Sequence, residues 1–211
     1  MDATELLGIF REEVSDKVAP YLWSDALVYA YIDDAQKQFC RETYGIQDAR
    51  TFTIPLVVNT EWYDIDKRIL QILGIYDSRG SKLHVVTRDE ANALHVRFDG
   101  TKGKIDGFVK GLEKNSLRAF PIPNTAETLT MEVLRLPVTI EAGDEFEIDE
   151  KHILNLLLWV KHKAYGMQDT ETYDPVKSAD YKQAFKAYCD DSRIEDGRLT
   201  RNVAVVKFRD M

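Results

Sequence analysis

DEKHILNLLLWVKHKAYG, residues 149–166, and DPVKSADYKQAFKAYCDDSR, residues 174–193, are two amphipathic stretches near the C-terminal end. Apolar residues recur in the first stretch at steps of four, three and four: Ile153, Leu157, Val160 and Ala164. This spacing predicts a helix whose apolar face is covered by other protein. Gly166 predicts a left-handed helix end, and Asp174-Pro175 predicts the capped start of a second helix. The two helices form a predicted antiparallel hairpin.

The N-terminal region contains a face that suits this hairpin. Ser24 is a candidate N-cap for a helix that ends at Gly45, and Trp23 before it is a candidate hydrophobic staple. The apolar side of this helix is Val28, Ile32, Ala35 and Phe39. A shorter amphipathic segment precedes it, with Leu6, Leu7, Phe10 and Val14 at helical spacing. We therefore expect residues 28–39 to pack against residues 153–164 within one subunit.

The middle of the chain has the composition of β-structure. Strands are predicted at residues 52–58, 62–65, 69–76, 82–87, 117–122 and 128–136. Thr87 and Glu90 fit a capping box that begins a short helix. Four glycines interrupt residues 99–115, which predicts an irregular or mobile hairpin there.

These elements define the predicted fold class, which is α+β because strands lie between runs of helices without β-α-β alternation. Residues 1–50 and 149–193 form the predicted helical bundle. Residues 51–148 form a β-rich insertion into it, and residues 194–211 form an extended C-terminal arm.

The C-terminal arm is the candidate interaction segment. A strand-prone run, Val203 to Val206, lies between basic residues. Two interpretations stay open: a last strand on the chain's own sheet, or an arm that adds a strand to a neighbouring protein. The candidate residues for binding a neighbouring protein are Arg198, Arg201, Val203, Val205, Val206 and Phe208.

Composition limits the function classes. The chain has 211 residues and a net charge of −8, which argues against a basic nucleic-acid-binding surface over the whole protein. Two cysteines do not make a disulfide framework. No apolar run is long enough for a membrane helix, and the N-terminus lacks the pattern of a secretory signal. We expect synthesis in a cytoplasm and no membrane partner.

Catalytic chemistry is not indicated. The acidic pairs are Asp33 with Asp34, Asp64 with Asp66, and Asp190 with Asp191. Paired carboxylates can bind metal, but none of these has a second cluster at ligand spacing, so solvated faces are expected. His152 and His162 lack the i, i+4 spacing of a helical metal site. The glycines match no phosphate-binding motif. We therefore predict no catalytic, metal or cofactor site.

An ordered series of motifs carries a resemblance to a known family. The series comprises residues 23–25, 31–35, 39–42, 62–66, 72–76, 121–123, 129–137, 148–165 and 169–188. It includes Trp23-Ser24-Asp25, Trp62-Tyr63-Asp64 and the Pro-x-Pro turn at Pro121 to Pro123. In this order and spacing, the chain resembles the head-to-tail adaptor, or connector, proteins of tailed bacteriophages, from about Trp23 to Tyr188.

The resemblance implies a structural role in the phage neck. Such adaptors form a ring, usually dodecameric, beneath the portal, and tail or stopper proteins dock below it. Double-stranded DNA would pass through the ring without sequence-specific binding, and an acidic protein suits that passage. Two alternatives stay open: a tail-completion or stopper protein of the neck, and a metal-dependent hydrolase that uses the acidic pairs.

Overall fold

The computed structural model describes residues 1–93, 100–168 and 171–200, with side chains through residue 197. The chain divides into two compact units. The helical unit is Met1–Tyr44 with Thr139–Met211, and the sheet unit is Gly45–Val138. The helices are α1 Ala3–Glu13, α2 Asp25–Glu42, α3 Arg88–Ala93, α4 Glu150–Ile153, α5 Leu156–Tyr165 and α6 Pro175–Thr200. No described helix has the length and apolarity needed to span a bilayer.

The helices begin where side chains cap free backbone amides. Asp2 and Glu5 form a capping box on α1, and the Ser24 hydroxyl accepts from the Leu27 amide at the start of α2. The Asp174 carboxylate accepts from the Lys177 amide, 3.0 Å away, at the start of α6. The sequence predictions for Ser24 and Asp174 are confirmed, because a cap depends on residues only two or three positions apart.

Helix α5 packs against α2 and α6. The predicted apolar faces of α2 and α5 are buried: Val28, Ile32, Ala35, Phe39, Leu157, Val160 and Ala164. The expected packing of residues 28–39 against residues 153–164 is therefore confirmed.

Three predicted details of the C-terminal helices are wrong. The first helix is divided, since α4 ends at Ile153 and α5 begins at Leu156. Gly166 has φ −83°, and its role is close approach: a Cβ there would lie 2.9 Å from the Ser178 hydroxyl. Helix α6 continues to Thr200, seven residues beyond the predicted end, so the first part of the predicted extended tail is helical.

The sheet unit consists mainly of one mixed sheet. Its strands are β1 Ile46–Asp48, β2 Thr53–Leu56, β3 Trp62–Asp64, β4 Ile69–Tyr76, β5 Lys82–Thr87, β7 Gly107–Lys110, β8 Ser116–Phe120 and β10 Glu127–Arg135. The order is β1-β10-β4-β5-β7-β8-β3, and β2 also pairs with β10. Strands β5 and β7 are parallel, and the other pairs are antiparallel. Two short strands, β6 Lys102–Gly103 and β9 Ile122–Pro123, form a separate parallel pair.

The connection between β2 and β3 requires this sheet to curl. The two strands lie at opposite edges, six interstrand spacings apart, which is about 29 Å in a flat sheet. Six steps of extended chain from Leu56 to Trp62 reach only about 21 Å. The Tyr63 hydroxyl closes the connection, 3.2 Å from the Val57 amide nitrogen and 3.1 Å from the Thr60 carbonyl oxygen. The sheet is therefore a curled half-barrel.

The predicted fold class, a helical bundle with an inserted β-rich region, is wrong. The main architecture is the curled mixed half-barrel, accompanied by a few helices. Strand β1 falls in the segment assigned to the bundle. Strand β7 falls in the glycine-rich stretch expected to be irregular or a mobile hairpin, and it pairs antiparallel with β8. Strand β7 requires a glycine at position 107, because a Cβ there would collide with the His84 carbonyl oxygen.

The two faces of the sheet bury different clusters. Alternate residues of β10 face the main core, where Leu129, Met131 and Val133 are buried. Strand alternation places Phe108 in this core and Val109 on the opposite face. Helix α3 covers that second face at Ala91, after the confirmed Thr87–Glu90 capping box.

Candidate interaction surfaces

The acidic pair Asp33-Asp34 has a structural role. Asp33 accepts hydrogen bonds from the Ile140 amide at 3.2 Å and from Lys37 Nζ at 2.6 Å. Asp34 accepts from Trp159 Nε1 at 2.8 Å. The expectation of a solvated face is wrong for this pair, because both carboxylates bind segments distant in sequence. Among the described residues, no group of three or more His, Cys, Asp or Glu side chains can hold a metal ion.

The remaining acidic pairs lie at the surface. Arg68 contacts the Asp66 carboxylate at 2.9 Å, and Arg193 contacts Asp190 at 2.6 Å. Both ion pairs are local and partly exposed, so each stabilises the protein by less than about 1 kcal/mol. Neither pair belongs to a cluster of described residues that could bind a ligand or perform catalysis.

Two histidines are parts of the helical packing. His152 is buried, and its Nδ1 lies 2.7 Å from the Tyr188 hydroxyl. His162 Nδ1 lies 2.9 Å from the Ser178 hydroxyl. Burial lowers the pKa of both imidazoles, since the charged form loses solvation. Both residues are thus satisfied inside the helical unit, away from any ligand-binding cluster among the described residues.

The first candidate surface is the segment between α1 and α2, residues 14–24, which we term the display loop. It exposes apolar side chains: Val18 is 79% exposed, Leu22 is 55% exposed and Tyr21 is 42% exposed. Isolated exposed apolar residues are common, but a cluster in one loop is typical of a protein-binding surface. The display loop therefore presents an exposed apolar surface to a binding partner.

Buried contacts fix the conformation of the display loop. The Arg11 guanidinium contacts the Asp16 carboxylate at 2.7 Å and the Trp23 carbonyl oxygen at 3.0 Å, and it also pairs with Asp25. It lies 3.6 Å from the centre of the Tyr21 ring. Asp16 accepts in turn from the Leu22 amide at 3.0 Å. A loop held from inside in this way loses little conformational freedom on binding.

The second candidate surface is the connection between β2 and β3. Val57 is 54% exposed, Val58 is 42% exposed and Trp62 is 40% exposed. Tyr63 fixes this connection through its hydroxyl group, as described for the half-barrel. Strand β3 is also an edge strand, and an edge presents backbone groups for pairing with another chain.

A groove at one end of the half-barrel is the third candidate. It has a volume of about 280 Å³ and lies between the first half of β4 and the turn that joins β7 to β8. Ile65, Ile69 and Ile72 line it and pack against the main core. Ser116 also lines it, and its buried hydroxyl has no hydrogen-bond partner among the described residues. An unsatisfied buried hydroxyl costs about 1–3 kcal/mol.

The predicted interaction arm lies largely beyond the structure. Arg201, Val203, Val205, Val206 and Phe208 are outside the described residues. Arg198 belongs to α6, but its side chain is likewise outside the described set. The helix that carries the arm is held near its end, where Lys151 Nζ lies 3.1 Å from Glu195 Oε1.

Sequence reasoning missed the display loop and the groove. The loop could have been recognised from its sequence, since apolar side chains are unusual in a turn. Here Val18, Tyr21 and Leu22 lie beside a proline. Nothing local in the sequence marks Ser116 or Ile72 as groove residues. Their proximity depends on which strands become neighbours.

The model of a family described as SU10 adaptor protein matches residues 1–206, nearly the entire chain. No curated protein matches the chain.

Proposed function

The chain belongs to the SU10 adaptor protein family, a family of phage head-to-tail adaptors, and from this we propose that it forms a ring beneath the portal of a tailed phage. In this proposal the ring passes double-stranded DNA and presents a docking surface to tail or stopper proteins. We place it in the neck of the virion, as a ring of about twelve subunits with no catalytic activity. The observation that carries the proposal is the family match over residues 1–206.

The described surfaces support an assembling protein. A closed ring uses one contact repeated around an axis, and each subunit must offer two different complementary patches. The display loop, with Val18 and Leu22, and the β2–β3 connection, with Val57 and Trp62, are fixed patches of the required kind. Rigid apolar side chains suit such contacts because little entropy is lost on association.

The charge balance supports the DNA-passage part of the proposal. A net charge of −8 reduces the release of counterions that drives binding to phosphates. DNA would then move past the subunits without being held.

The experiment that tests the proposal combines the purified full chain with its portal protein. Mass measurement and negative-stain imaging are expected to show a ring of this protein on the portal. A chain ended before Arg201 keeps all of α6 and removes the arm, and we expect it to fold normally and to lose assembly. A protein that stays monomeric and does not bind portal would contradict the proposal. Attachment only to a tail or stopper protein would instead indicate a neck component that does not touch portal.

A further inference from the structure

Along the groove at the end of the half-barrel, one edge of strand β4 is not paired with a described strand. Strand β4 pairs with β10 along residues 69–76, but it pairs with β5 only at Ile75 and Tyr76. Within the described part of the chain, no strand pairs with residues 69–73 on the β5 side. Unpaired backbone groups in such an edge are a site for an added strand.

The chemistry of the groove also suits a peptide segment. Ile65, Ile69 and Ile72 remain partly exposed although they pack on the core. The buried Ser116 hydroxyl lacks a partner among the residues that the structure describes. Glu113 and Lys110, one of each charge, also line the groove and are exposed. A bound segment with apolar side chains and backbone polar groups would cover the isoleucines and pair with the strand edge, and a basic residue on it would pair with Glu113.

Resting on the proposed ring, we propose that this groove binds the C-terminal arm, residues 201–211, of a second copy of this chain. The arm would pair with residues 69–73 of β4 as an added strand. Ala204, Val206 and Phe208 share one side of an extended strand and would face the isoleucines. Each subunit would thus bind its neighbour through one arm and one groove, the repeated contact of a ring.

Length and charge favour this occupant. The arm has eleven residues and reaches about 36 Å when extended. Its three basic residues and one acidic residue give it a charge of +2. The whole chain carries −8, so the remainder carries −10. Attraction between a basic arm and an acidic neighbour increases the rate of association.

Cross-linking between two differently tagged full-length chains tests the proposal. One carries Gln71→Cys, on the groove, and the other carries Val206→Cys, in the arm. The native Cys40 and Cys189 are buried and do not compete for a short bis-maleimide. The matched control replaces Gln71→Cys by Ser78→Cys, on the exposed turn between β4 and β5. We expect at least about tenfold more mixed dimer with Gln71→Cys, because a bound arm has a high effective concentration.

A second variant distinguishes a binding role of Ser116 from a structural one. Ser116→Ala removes the unpartnered hydroxyl. We expect it to raise the melting temperature of the isolated subunit and to lower the yield of the mixed dimer at least threefold. A structural role alone would leave the cross-link unchanged, and that result would overturn the assignment of Ser116.

Imaging with portal, done on the same samples, separates this proposal from the proposed function. Rings on portal without the mixed dimer would overturn the arm-and-groove contact and leave the adaptor function standing. Cross-linking only within one chain that carries both cysteines, or between Gln71→Cys and portal, would also overturn the contact. Absence of both rings and portal binding would overturn both proposals.

Discussion

The indole Nε1 of Trp23 donates a hydrogen bond to the carbonyl oxygen of Ala164, 3.3 Å away, and so joins the display loop to the end of α5. Trp23 is only 2% exposed. Its ring meets Phe10 and Tyr165 edge to face, with centroids 5.7 and 5.8 Å away. One side chain therefore connects three segments of the helical unit.

Trp23→Phe is expected to lower the free energy of unfolding by about 1–3 kcal/mol, because a hydrogen bond and buried volume are lost together. Urea denaturation measures the change. The matched control is Trp62→Phe at an exposed position, expected to change stability by less than about 0.5 kcal/mol. Equal effects at the two positions would show that Trp23 is not a packing centre.

Arg11→Ala is expected to destabilise the protein by about 3–5 kcal/mol, since it leaves the buried Asp16 carboxylate without its cation. Arg11→Lys is also expected to be destabilising, because an ammonium cannot donate to Asp16 and the Trp23 carbonyl with the geometry of a guanidinium. Thermal or urea unfolding checks both variants.

The control for Arg11 is the exposed ion pair of Lys17 with Glu12. Lys17→Ala should change the free energy of unfolding by less than about 1 kcal/mol. If Arg11→Ala has no larger effect than Lys17→Ala, the display loop is not held by the buried guanidinium.

Two glycine substitutions should have opposite effects on stability. At Gly107, a Cβ would collide with the His84 carbonyl oxygen and lie 2.8 Å from Phe120 Cζ. Gly107→Ala should therefore cost about 1–3 kcal/mol or more. Gly8 lies in α1, where a Cβ meets no atom within 4 Å, so Gly8→Ala should stabilise by about 0.5–1 kcal/mol. Melting temperatures that shift in the same direction would contradict this prediction.

Both cysteine thiols should resist modification in the folded protein. Burial raises the pKa of Cys189 to about 12, and Cys40 is also buried. A thiol reagent at pH 8 should react slowly with the native protein, because only the thiolate is reactive. After denaturation it should react readily with both thiols. Rapid reaction of the native protein would mean that α2 and α6 separate in solution.

Burial of His152 should make stability depend on pH. Its folded pKa lies below the ordinary value, so the unfolded chain binds a proton that the folded chain excludes. Stability is therefore present above the unfolded pKa of about 6.5 and is lost as pH falls below it. Urea unfolding at pH 7.5 and 5.5 should show a smaller pH difference for His152→Gln than for the unaltered chain.

Local interactions explain the parts of the fold that sequence reasoning identified. The caps at Ser24, Thr87 and Asp174 depend on atoms two or three residues away, and all three form. The apolar stripes of α2 and α5 follow the helical period and are buried. The prediction for Gly166 was wrong: instead of a left-handed helix end, the glycine leaves room for the His162 carbonyl oxygen and the Ser178 hydroxyl, each of which would lie 2.9 Å from a Cβ.

The sequence alone determined where most helices and strands begin, which faces they bury, and which family of proteins the chain resembles. Tertiary structure alone determined the sheet order, the curl and the groove. Strand β1 pairs with β10, where the Arg135 guanidinium donates to the Asp48 carboxylate, 87 residues away in sequence, and β5 pairs in parallel with β7. Alternation within a strand specifies its buried face but not its neighbour, because partner choice is settled by packing among distant segments. Ser116 and Ile72 line the same groove only because of which strands become neighbours.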